Sequence, residues 1–341
     1  MSAARPPQPR DAGRVMITGG AGYVGSALVP RLIAEGFAVT VLDRYDYGED
    51  VFDELRGDPR LREVKGDIRD PEAVARALGE ASTVIHLACI SNDPSYDLDP
   101  ALGKSINFDA FRPLVQASKR AGVERFIYAS SSSVYGVKDE PLVTEELSRA
   151  PLTDYSKFKA LCEDVLEEER TPGFTTVVVR PSTVCGYAKR LRLDLVVNIL
   201  TNQAVHRRKI TVLGGKQMRP NIHIQDMVGA YLQLLREPAA KIDGQIFNVG
   251  GNNHTVSELA EIVRGVIDPG LPIEVKPTND ERSYKTSSEK IRRALGWEPR
   301  YTVADAVRDL KAAFDAQLVP DPLENPRYFN IKRMQELNHG R

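Results

Sequence analysis

The chain has 341 residues, 42% of them hydrophobic and 27% charged, which is enough for about two globular domains with buried cores. Lysine and arginine total 46 against 47 aspartate and glutamate residues, and a net charge of -1 argues against binding to nucleic acid or to a membrane by bulk charge. In addition, no apolar run reaches the roughly 18 residues that a membrane-spanning helix needs.

Residues 1–13 are rich in proline and arginine and lack an apolar stretch, so they predict a disordered tail and not a signal peptide. From residue 14, short β-branched runs alternate with longer amphipathic stretches. The predicted strands are 15–17, 38–42, 82–87, 125–130 and 175–180, and the predicted helices are 26–34, 72–78, 108–121 and 155–169. Such alternation is typical of a parallel sheet covered by helices on both faces.

The pattern changes after Pro181, where the elements become shorter and mixed. We predict helices over 190–208, 225–235, 256–266 and 303–317, and strands over 209–213, 245–249 and 273–276. The expected fold class is α/β, a Rossmann-type doubly wound parallel sheet with a smaller C-terminal α/β domain. The expected limits are 14–181 for the first domain, with 219–252 packing back onto it, and 182–341 for the second.

The cysteines and histidines do not predict a metal site. Cys89, Cys162 and Cys185 are far apart and form no CxxC pair, which favours a reducing compartment such as the cytoplasm. His86 and His223 lie in apolar, strand-like runs with no ligand-spaced partners, so we interpret both as packed histidines with a satisfied hydrogen bond.

A glycine-rich turn follows the first predicted strand. Gly19, Gly22 and Gly25 are three residues apart and precede a predicted helix, an arrangement that lets a pyrophosphate approach the backbone and the helix N-terminus. The next strand ends at Asp43, whose carboxylate can accept hydrogen bonds from ribose hydroxyls and so favours NAD over NADP. Arg44 follows directly and keeps NADP open, since arginine can pair with a 2'-phosphate. The alternative is an ordinary turn and strand cap.

A second pattern combines hydroxyl groups with a lysine. Tyr155 and Lys159 lie at i and i+4 of a predicted helix and therefore share one face, and four serines occupy 130–133. A nearby ammonium group stabilises a phenolate and lowers the phenol pKa, while a serine hydroxyl can hold the oxygen that loses its proton. The alternative is that Tyr155 is an ordinary helix residue and the serines form a polar loop.

Several segments together carry a family resemblance. They are TGGAGYVGS (18–26), VLDRY (41–45), KGDIRD (65–70), VIHLA (84–88), ASSSSVYG (129–136), YSKFK (155–159), VVVRPSTVCG (177–186), RPNIHIQD (219–226), FNVGG (247–251) and LGWEP (295–299). With these, the chain resembles the extended short-chain dehydrogenase/reductase family, in the branch of NAD-dependent nucleotide-sugar epimerases and dehydratases. The resemblance implies an NAD-binding first domain, a substrate-binding second domain, a nucleotide-diphosphate-sugar substrate, a cytoplasmic location and a homodimer.

The resemblance also implies roles for individual residues. The catalytic candidates are Ser131, Tyr155 and Lys159. The cofactor-binding candidates are Gly19, Gly22, Tyr23, Val24, Gly25, Asp43, Arg44, Asp67, Ile68, Leu87, Ala88, Tyr155, Lys159 and Pro181. The substrate-binding candidates are Ser91, Ser132, Thr183, Arg192, Arg219 and Arg282. Arginines at 219 and 282 would grip the diphosphate of the substrate, unless they are solvated surface charges.

The sequence departs from the family at three places. Dehydratases of this branch resemble Thr-Asp-Glu where this chain has Ser131, Ser132 and Ser133, and decarboxylases carry Glu at the third of these places. In the segment Arg-x-x-Asn-Val-Tyr-Gly that is typical of epimerases, this chain has Cys185 in place of the Tyr and Thr183 in place of the Asn. The basic segment 187–194 either supplies phosphate contacts in its place or is a solvated turn.

With no carboxylate in the serine loop, the leading hypothesis is an NAD-dependent nucleotide-diphosphate-sugar epimerase, acting at C4 through a transient 4-keto sugar. The alternative is an NAD(P)H-dependent 4-ketoreductase of a keto-deoxy sugar nucleotide. A 4,6-dehydratase and a non-catalytic dinucleotide sensor are further alternatives. The trio of Ser131, Tyr155 and Lys159 argues against a sensor, because a sensor does not need it.

Overall fold

The structure is a computed structural model, and it describes residues 13–91, 93–278 and 283–339. Residues 1–12 of the predicted tail lie outside the described residues. Within the described part, no helix is long and apolar enough to cross a bilayer.

A parallel sheet of seven strands forms the centre of the molecule. In spatial order the strands are β10 (Gln245–Val249), β6 (Thr175–Pro181), β5 (Arg125–Ala129), β4 (Ala81–His86), β1 (Arg14–Thr18), β2 (Ala38–Asp43) and β3 (Leu61–Lys65). Chain order reverses at β1, which pairs with β2 on one side and β4 on the other. Ligands bind at such a reversal in doubly wound sheets, beyond the carboxyl ends of the strands.

Two apolar layers sandwich this sheet. On one face, α1 (Gly25–Ala34) and α8 (Ile224–Arg236) pack with Ile17 of β1 in one cluster. On the other face, α2 (Pro71–Leu78), α5 (Phe111–Arg120) and α6 (Asp154–Glu168) pack with Met16 in a second cluster. Adjacent residues of β1 point into opposite clusters, so the strand is buried on both sides and contains only apolar residues at these positions. The predicted fold class is confirmed.

Smaller sheets and helices complete the second half of the chain. Strands β7 (Thr183–Cys185), β9 (Met218–His223) and β11 (Asn252–Thr255) form one sheet, and β8 (Ile210–Leu213) pairs with β12 (Ile273–Lys276). The remaining helices are α3 (Asp93–Tyr96), α4 (Pro100–Lys104), α7 (Val196–His206), α9 (Ala239–Ile242), α10 (Val256–Ile267), α11 (Glu289–Leu295), α12 (Val303–Asp315) and α13 (Asn330–His339). Strand β10 returns to the main sheet beside β6, whereas β9 stays in the small sheet. The domain limits stay a prediction.

Several elements differ from expectation, and the strands β7, β9 and β11 of the small sheet were not predicted. The predicted helix over 190–208 begins only at Val196, because 187–195 forms a loop whose side chains at 190–193 are buried. The helix expected from 108 begins at Phe111, after a π-helical turn over Ser105–Asp109. Strand β3 was not predicted, since only Val64 of its five residues is buried and the strand lacks an apolar pattern.

Candidate active site

A cavity of about 910 Å³ opens at the carboxyl ends of the central strands. Every predicted site residue that the structure describes lines this cavity. Arg282 was also predicted as a site residue, but it lies outside the described residues. The fold therefore brings together residues that are up to about two hundred positions apart in sequence, although their individual roles stay predictions.

The glycine-rich turn is shaped by close backbone contacts. Gly19 has φ +70°, and a Cβ atom there would lie 2.6 Å from the Cα atom of Ala88. A Cβ atom on Gly25 would lie 2.2 Å from the carbonyl oxygen of Gly20. Both contacts are with backbone that has no room to move, so neither position accepts a side chain. The turn leads directly into α1, and its backbone is open to a phosphate from the cavity side.

Asp43 ends β2 beside this turn. Its carboxylate accepts hydrogen bonds from the backbone N–H groups of Ala21, at 2.9 Å, and Tyr45, at 2.8 Å. Burial raises the pKa of this carboxyl group. The adjacent Arg44 forms ion pairs with Asp46 at 3.0 Å and Asp67 at 3.3 Å. Because two carboxylates already surround this guanidinium group, the environment favours an uncharged ribose over one with a 2'-phosphate.

Tyr155 and Lys159 lie in the first turns of α6. The helix starts at a capping box, in which Thr153 and Ser156 exchange hydrogen bonds between side chain and backbone. The Lys159 side chain is buried, and its Nζ atom donates to the carbonyl oxygen of Ala129 at 2.6 Å. This Nζ atom lies 5.9 Å from the centre of the Tyr155 ring. The positive charge is thus fixed beside the phenol and not free to leave it.

Ser131 approaches the same phenol from the loop after β5. Its Oγ atom accepts hydrogen bonds from the backbone N–H of Ser133, at 3.1 Å, and from the Ser133 hydroxyl, at 2.9 Å. A hydroxyl has two lone pairs and one proton, so both acceptor positions are used and the proton remains for donation. Ser131 also lies beside Tyr155, and a hydrogen bond between the two side chains lowers the pKa of the phenol.

The phenol itself sits in a buried environment. Burial raises the pKa of Tyr155, and the charges of Cys89 and Asp93 raise it further. Arg192 and the hydrogen bond with Ser131 act in the opposite direction and lower it. The protein alone therefore keeps Tyr155 protonated at neutral pH, and a further positive charge beside it is needed to make the phenol a base.

The basic segment after β7 is buried, so its interpretation as a solvated turn is wrong. Arg190 is 3% exposed and Arg192 is 8% exposed. Arg192 forms an ion pair with Asp194 through Nε at 2.9 Å, and its Nη1 atom donates to the Ser91 hydroxyl at 3.1 Å. The Ser91 hydroxyl also accepts a hydrogen bond from Nδ2 of Asn330, at 3.1 Å. Both substrate candidates, Ser91 and Arg192, are thus members of an internal polar network.

The other candidate residues line the cavity around the glycine turn and the trio of Ser131, Tyr155 and Lys159. Tyr23 donates its hydroxyl proton to the carbonyl oxygen of Gly186 at 2.5 Å, which ties the glycine turn to the second half of the chain. The Ser132 hydroxyl lies 3.2 Å from the hydroxyl of Tyr284. The remaining cavity-lining candidates are Gly22, Val24, Ile68, Leu87, Pro181, Thr183 and Arg219.

Sequence reasoning missed several residues that line the cavity, among them Tyr47, Arg190 and Asn330. Arg190 belongs to the basic segment, but a charge run does not show which of its members are buried or paired. Asn330 begins α13, in a part of the chain where no motif pointed to the site. Only the folded structure reveals that Asn330 belongs to the site, since it contacts Arg190 across 140 positions of sequence.

Both histidines that we interpreted as packed are buried and hydrogen-bonded. His86 Nδ1 lies 2.7 Å from Thr18 Oγ1, and His223 Nε2 lies 3.1 Å from Asp309. Burial, followed by the charge of Lys159, lowers the pKa of His86 to about 3. Cys162 and Cys185 are buried as well, and burial raises the pKa of both thiols. Neither thiol has the properties of a nucleophile at neutral pH.

Comparison with known proteins follows this geometry. Residues 15–250 match the model of the NAD dependent epimerase/dehydratase family. The chain is 26% identical over 315 residues to a UDP-glucose 4-epimerase of Lactobacillus helveticus, covering 86% of this chain and 94% of that protein. It is 29% identical over 317 residues to UDP-glucuronic acid decarboxylase 1 of Arabidopsis thaliana, covering 88% of this chain and 69% of that protein.

Among solved structures, a dTDP-glucose 4,6-dehydratase from Streptomyces venezuelae with NAD bound superposes with a TM-score of 0.81. The two chains are 26% identical, and the match covers 91% of this chain and 100% of that chain. Three relatives with similar identities thus carry three different reaction names. The overall likeness defines the family but does not separate epimerisation from decarboxylation or dehydration.

Proposed function

The chain belongs to the NAD-dependent epimerase/dehydratase family, and on that premise we propose that it is a nucleotide-diphosphate-sugar epimerase that acts at C4. NAD is its resident cofactor, and the reaction passes through a transient 4-keto sugar. One observation carries this proposal. Ser131, Tyr155 and Lys159 converge at the cavity, while the loop positions expected to hold the carboxylates of a dehydratase or decarboxylase are Ser132 and Ser133.

A carboxylate near Tyr155, that of Asp93, does not replace the missing ones. Asp93 lies close enough to affect the pKa of Tyr155, but its Oδ1 atom accepts a hydrogen bond from Thr153 at 2.5 Å. That hydrogen bond holds the Asp93 carboxylate against the hydroxyl of Thr153, the residue that caps the start of α6. We therefore assign Asp93 to positioning the helix and not to removing a proton from a sugar carbon.

The residues around the glycine turn fit NAD. Gly19 and Gly25 allow a turn so tight that a Cβ atom at either position would meet neighbouring backbone, and such a turn lets a pyrophosphate approach the chain. Asp43 lines the same cavity, where the adenosine ribose would follow. Bound NAD would supply a hydride acceptor next to the sugar and a positive charge next to Tyr155. With that charge added to Lys159, the balance at the phenol shifts toward the phenolate.

The chain's own residues then move the proton. Tyr155 takes the proton of the O4 hydroxyl as C4 becomes a carbonyl carbon, and Ser131 donates its hydroxyl proton in a hydrogen bond to O4. In the return direction, Tyr155 gives the proton back to O4 when the hydrogen at C4 is restored from the opposite face. The sugar is neither oxidised nor reduced overall, so Tyr155 and Ser131 end the cycle in their starting states.

The proposal extends to assembly and location. Leu161 on α6 is 43% exposed and Leu152, just before the helix, is 55% exposed, which supports a homodimer formed through this helix. The described structure contains three unpaired cysteines, which suits the cytoplasm. Light scattering of the purified protein tests the homodimer, and a mass equal to that of one chain would contradict it.

The test of function is incubation of the full chain with UDP-, dTDP-, GDP- and CDP-hexoses and with UDP-hexuronic acids, without added cofactor, followed by chromatography with mass detection. We expect a product of unchanged mass at a new retention time. Loss of water or of carbon dioxide would overturn the assignment and indicate a dehydratase or decarboxylase. Turnover of keto sugars only after NADH or NADPH is added would identify a ketoreductase instead.

A further inference from the structure

Two arginines in one loop differ in how their charges are balanced. Arg192 has a carboxylate partner in Asp194. Arg190 is equally buried, yet among the described residues no carboxylate forms an ion pair with it, and its Nε atom has no hydrogen-bond partner. Burial lowers the pKa of Arg190 to about 10, although the charges of Asp194 and Asp43 act in the opposite direction. Folded proteins rarely bury such a charge unless an anion arrives from elsewhere.

The position of Arg190 shows which anion it faces. Its backbone N–H donates to the hydroxyl of Ser26 at 3.1 Å, so the loop lies against the first turn of α1. Its guanidinium carbon lies 3.7 Å from the centre of the Tyr47 ring, four residues after Asp43. The charged group thus stands in the cavity between the turn that fits a pyrophosphate and the segment that fits the adenosine ribose.

We propose that Arg190 binds the diphosphate bridge of NAD and that Asn330 holds it in place. Arginine is suited to this role, since its planar fork of N–H groups matches two phosphate oxygens. The helix terminus contributes backbone dipoles, and Arg190 contributes the full positive charge that the glycine turn lacks. The inference rests on the proposed function only in that the cavity holds NAD.

Asn330 fixes the guanidinium group from the C-terminal side. Its Oδ1 atom accepts a hydrogen bond from Nη2 of Arg190 at 2.5 Å, and its Nδ2 atom donates to the carbonyl oxygen of Ser91 at 3.2 Å. Its backbone N–H donates to Asp194 at 3.1 Å. One side chain therefore connects the loop after β4, the loop after β7 and α13. These contacts fix the guanidinium group at the cavity wall, where we expect it to meet the diphosphate.

The test measures bound nucleotide and not turnover. The full chain carrying Arg190→Met is purified beside wild type, both are denatured, and the released NAD and NADH are counted per protomer by chromatography. Stripped protein is then titrated with NADH by fluorescence. A charge-assisted hydrogen bond is worth about 10- to 100-fold in binding, so we expect the NADH Kd to rise by that factor. Lys189→Met is the matched control, because Lys189 is 41% exposed and pairs with exposed Glu54.

Two further measurements distinguish binding of the NAD diphosphate from binding of the substrate diphosphate. Asn330→Ala leaves the charge in place and should weaken NADH binding less than Arg190→Met does, while still accelerating NADH release. UDP and dTDP are titrated into NAD-saturated protein, and their Kd values should change less than about twofold in Arg190→Met. Unchanged NADH binding in Arg190→Met overturns the proposal. Unchanged NADH binding with weakened UDP or dTDP binding assigns Arg190 to the substrate diphosphate. Neither result depends on whether the protein epimerises a sugar.

Discussion

Glu163 and Arg180 form an ion pair in the interior, with Nε and Nη2 of the arginine donating to the two carboxylate oxygens at 3.0 Å and 2.6 Å. Each side chain is only 3% exposed. Glu163 is on α6, two turns after Tyr155, and Arg180 is on β6. The carboxylate also accepts a hydrogen bond from Ser130, the neighbour of Ser131, at 2.5 Å. The pair thus joins the catalytic helix to the sheet and to the serine loop.

Glu163→Gln should destabilise the fold strongly. The variant keeps the shape of the side chain but leaves the Arg180 charge unpaired in the interior, which lowers the free energy of unfolding by about 3 kcal/mol. Urea denaturation followed by circular dichroism measures the change. Asp315→Asn is the control, since Asp315 pairs with Lys311 on the exposed face of α12 and its loss should change stability by less than about 1 kcal/mol. Equal effects of the two variants would contradict the assignment.

Tyr155→Phe should remove turnover but keep the cofactor. The variant retains the ring and loses only the group that accepts the O4 proton, so kcat should fall by about 10²- to 10⁴-fold. The nucleotide content of the purified variant should match that of wild type, because the phenyl ring still fills its place in α6. The check is kcat on the sugar nucleotide identified in the substrate panel. A kcat within twofold of wild type would remove Tyr155 from the mechanism.

We expect Gly25→Ala to weaken NADH binding and Gly265→Ala to stabilise the fold. At Gly25 the added methyl group meets the backbone of Gly20 at 2.2 Å, so the turn must distort and NADH binding should weaken by at least about tenfold. At Gly265, within α10, the methyl group meets nothing within 4 Å. There alanine should stabilise the protein by about 0.5 to 1 kcal/mol through its higher helix propensity. NADH titration and urea denaturation of both variants measure the contrast, and equal NADH affinities would count against the turn as a phosphate site.

The buried His86 predicts a pH dependence of stability. Its pKa is lowered from 6.5 to about 3 in the folded state, so between these values the unfolded chain binds a proton that the folded protein does not. Its contribution to stability is complete above about pH 6.5 and is lost as the pH falls, by up to about 1.4 kcal/mol per pH unit. His86→Asn should have a shallower slope than wild type between pH 6 and 4. Above pH 7 the two slopes should coincide, and parallel slopes at all pH values would contradict this origin.

The sequence predicted the part of the site that lies on regular elements. Gly19, Asp43, Tyr155 and Lys159 follow or begin strands and helices with strong apolar patterns, and the fold places them at one cavity as the patterns require. Parallel strands buried on both faces leave little freedom in where their carboxyl ends meet. The central sheet was predictable for the same reason, except for the edge strand β3.

The part of the site that escaped prediction lies on a buried loop and on a distant helix. The predicted helix extended from residue 190 into the apolar run of α7, although arginine and leucine alternate over 190–193 with the two-residue period of a strand. In the structure it becomes a loop, because both residue types are buried there and the arginines find polar partners on other segments. No local sequence pattern identifies a partner such as Asn330, since its hydrogen bond with Arg190 forms only after the chain has folded.

The contact between Asn330 and Arg190 also orders events during synthesis. Ribosomes make the glycine turn, Asp43 and Arg190 first, and Asn330 emerges 140 residues after Arg190. At about 5 to 20 residues per second, this interval lasts roughly 7 to 28 s. During that time the contact between Asn330 and Arg190 cannot form, so the nascent chain lacks this side of the cavity. Ribosome-bound chains arrested before and after residue 330 should therefore differ in how fast they exchange NADH.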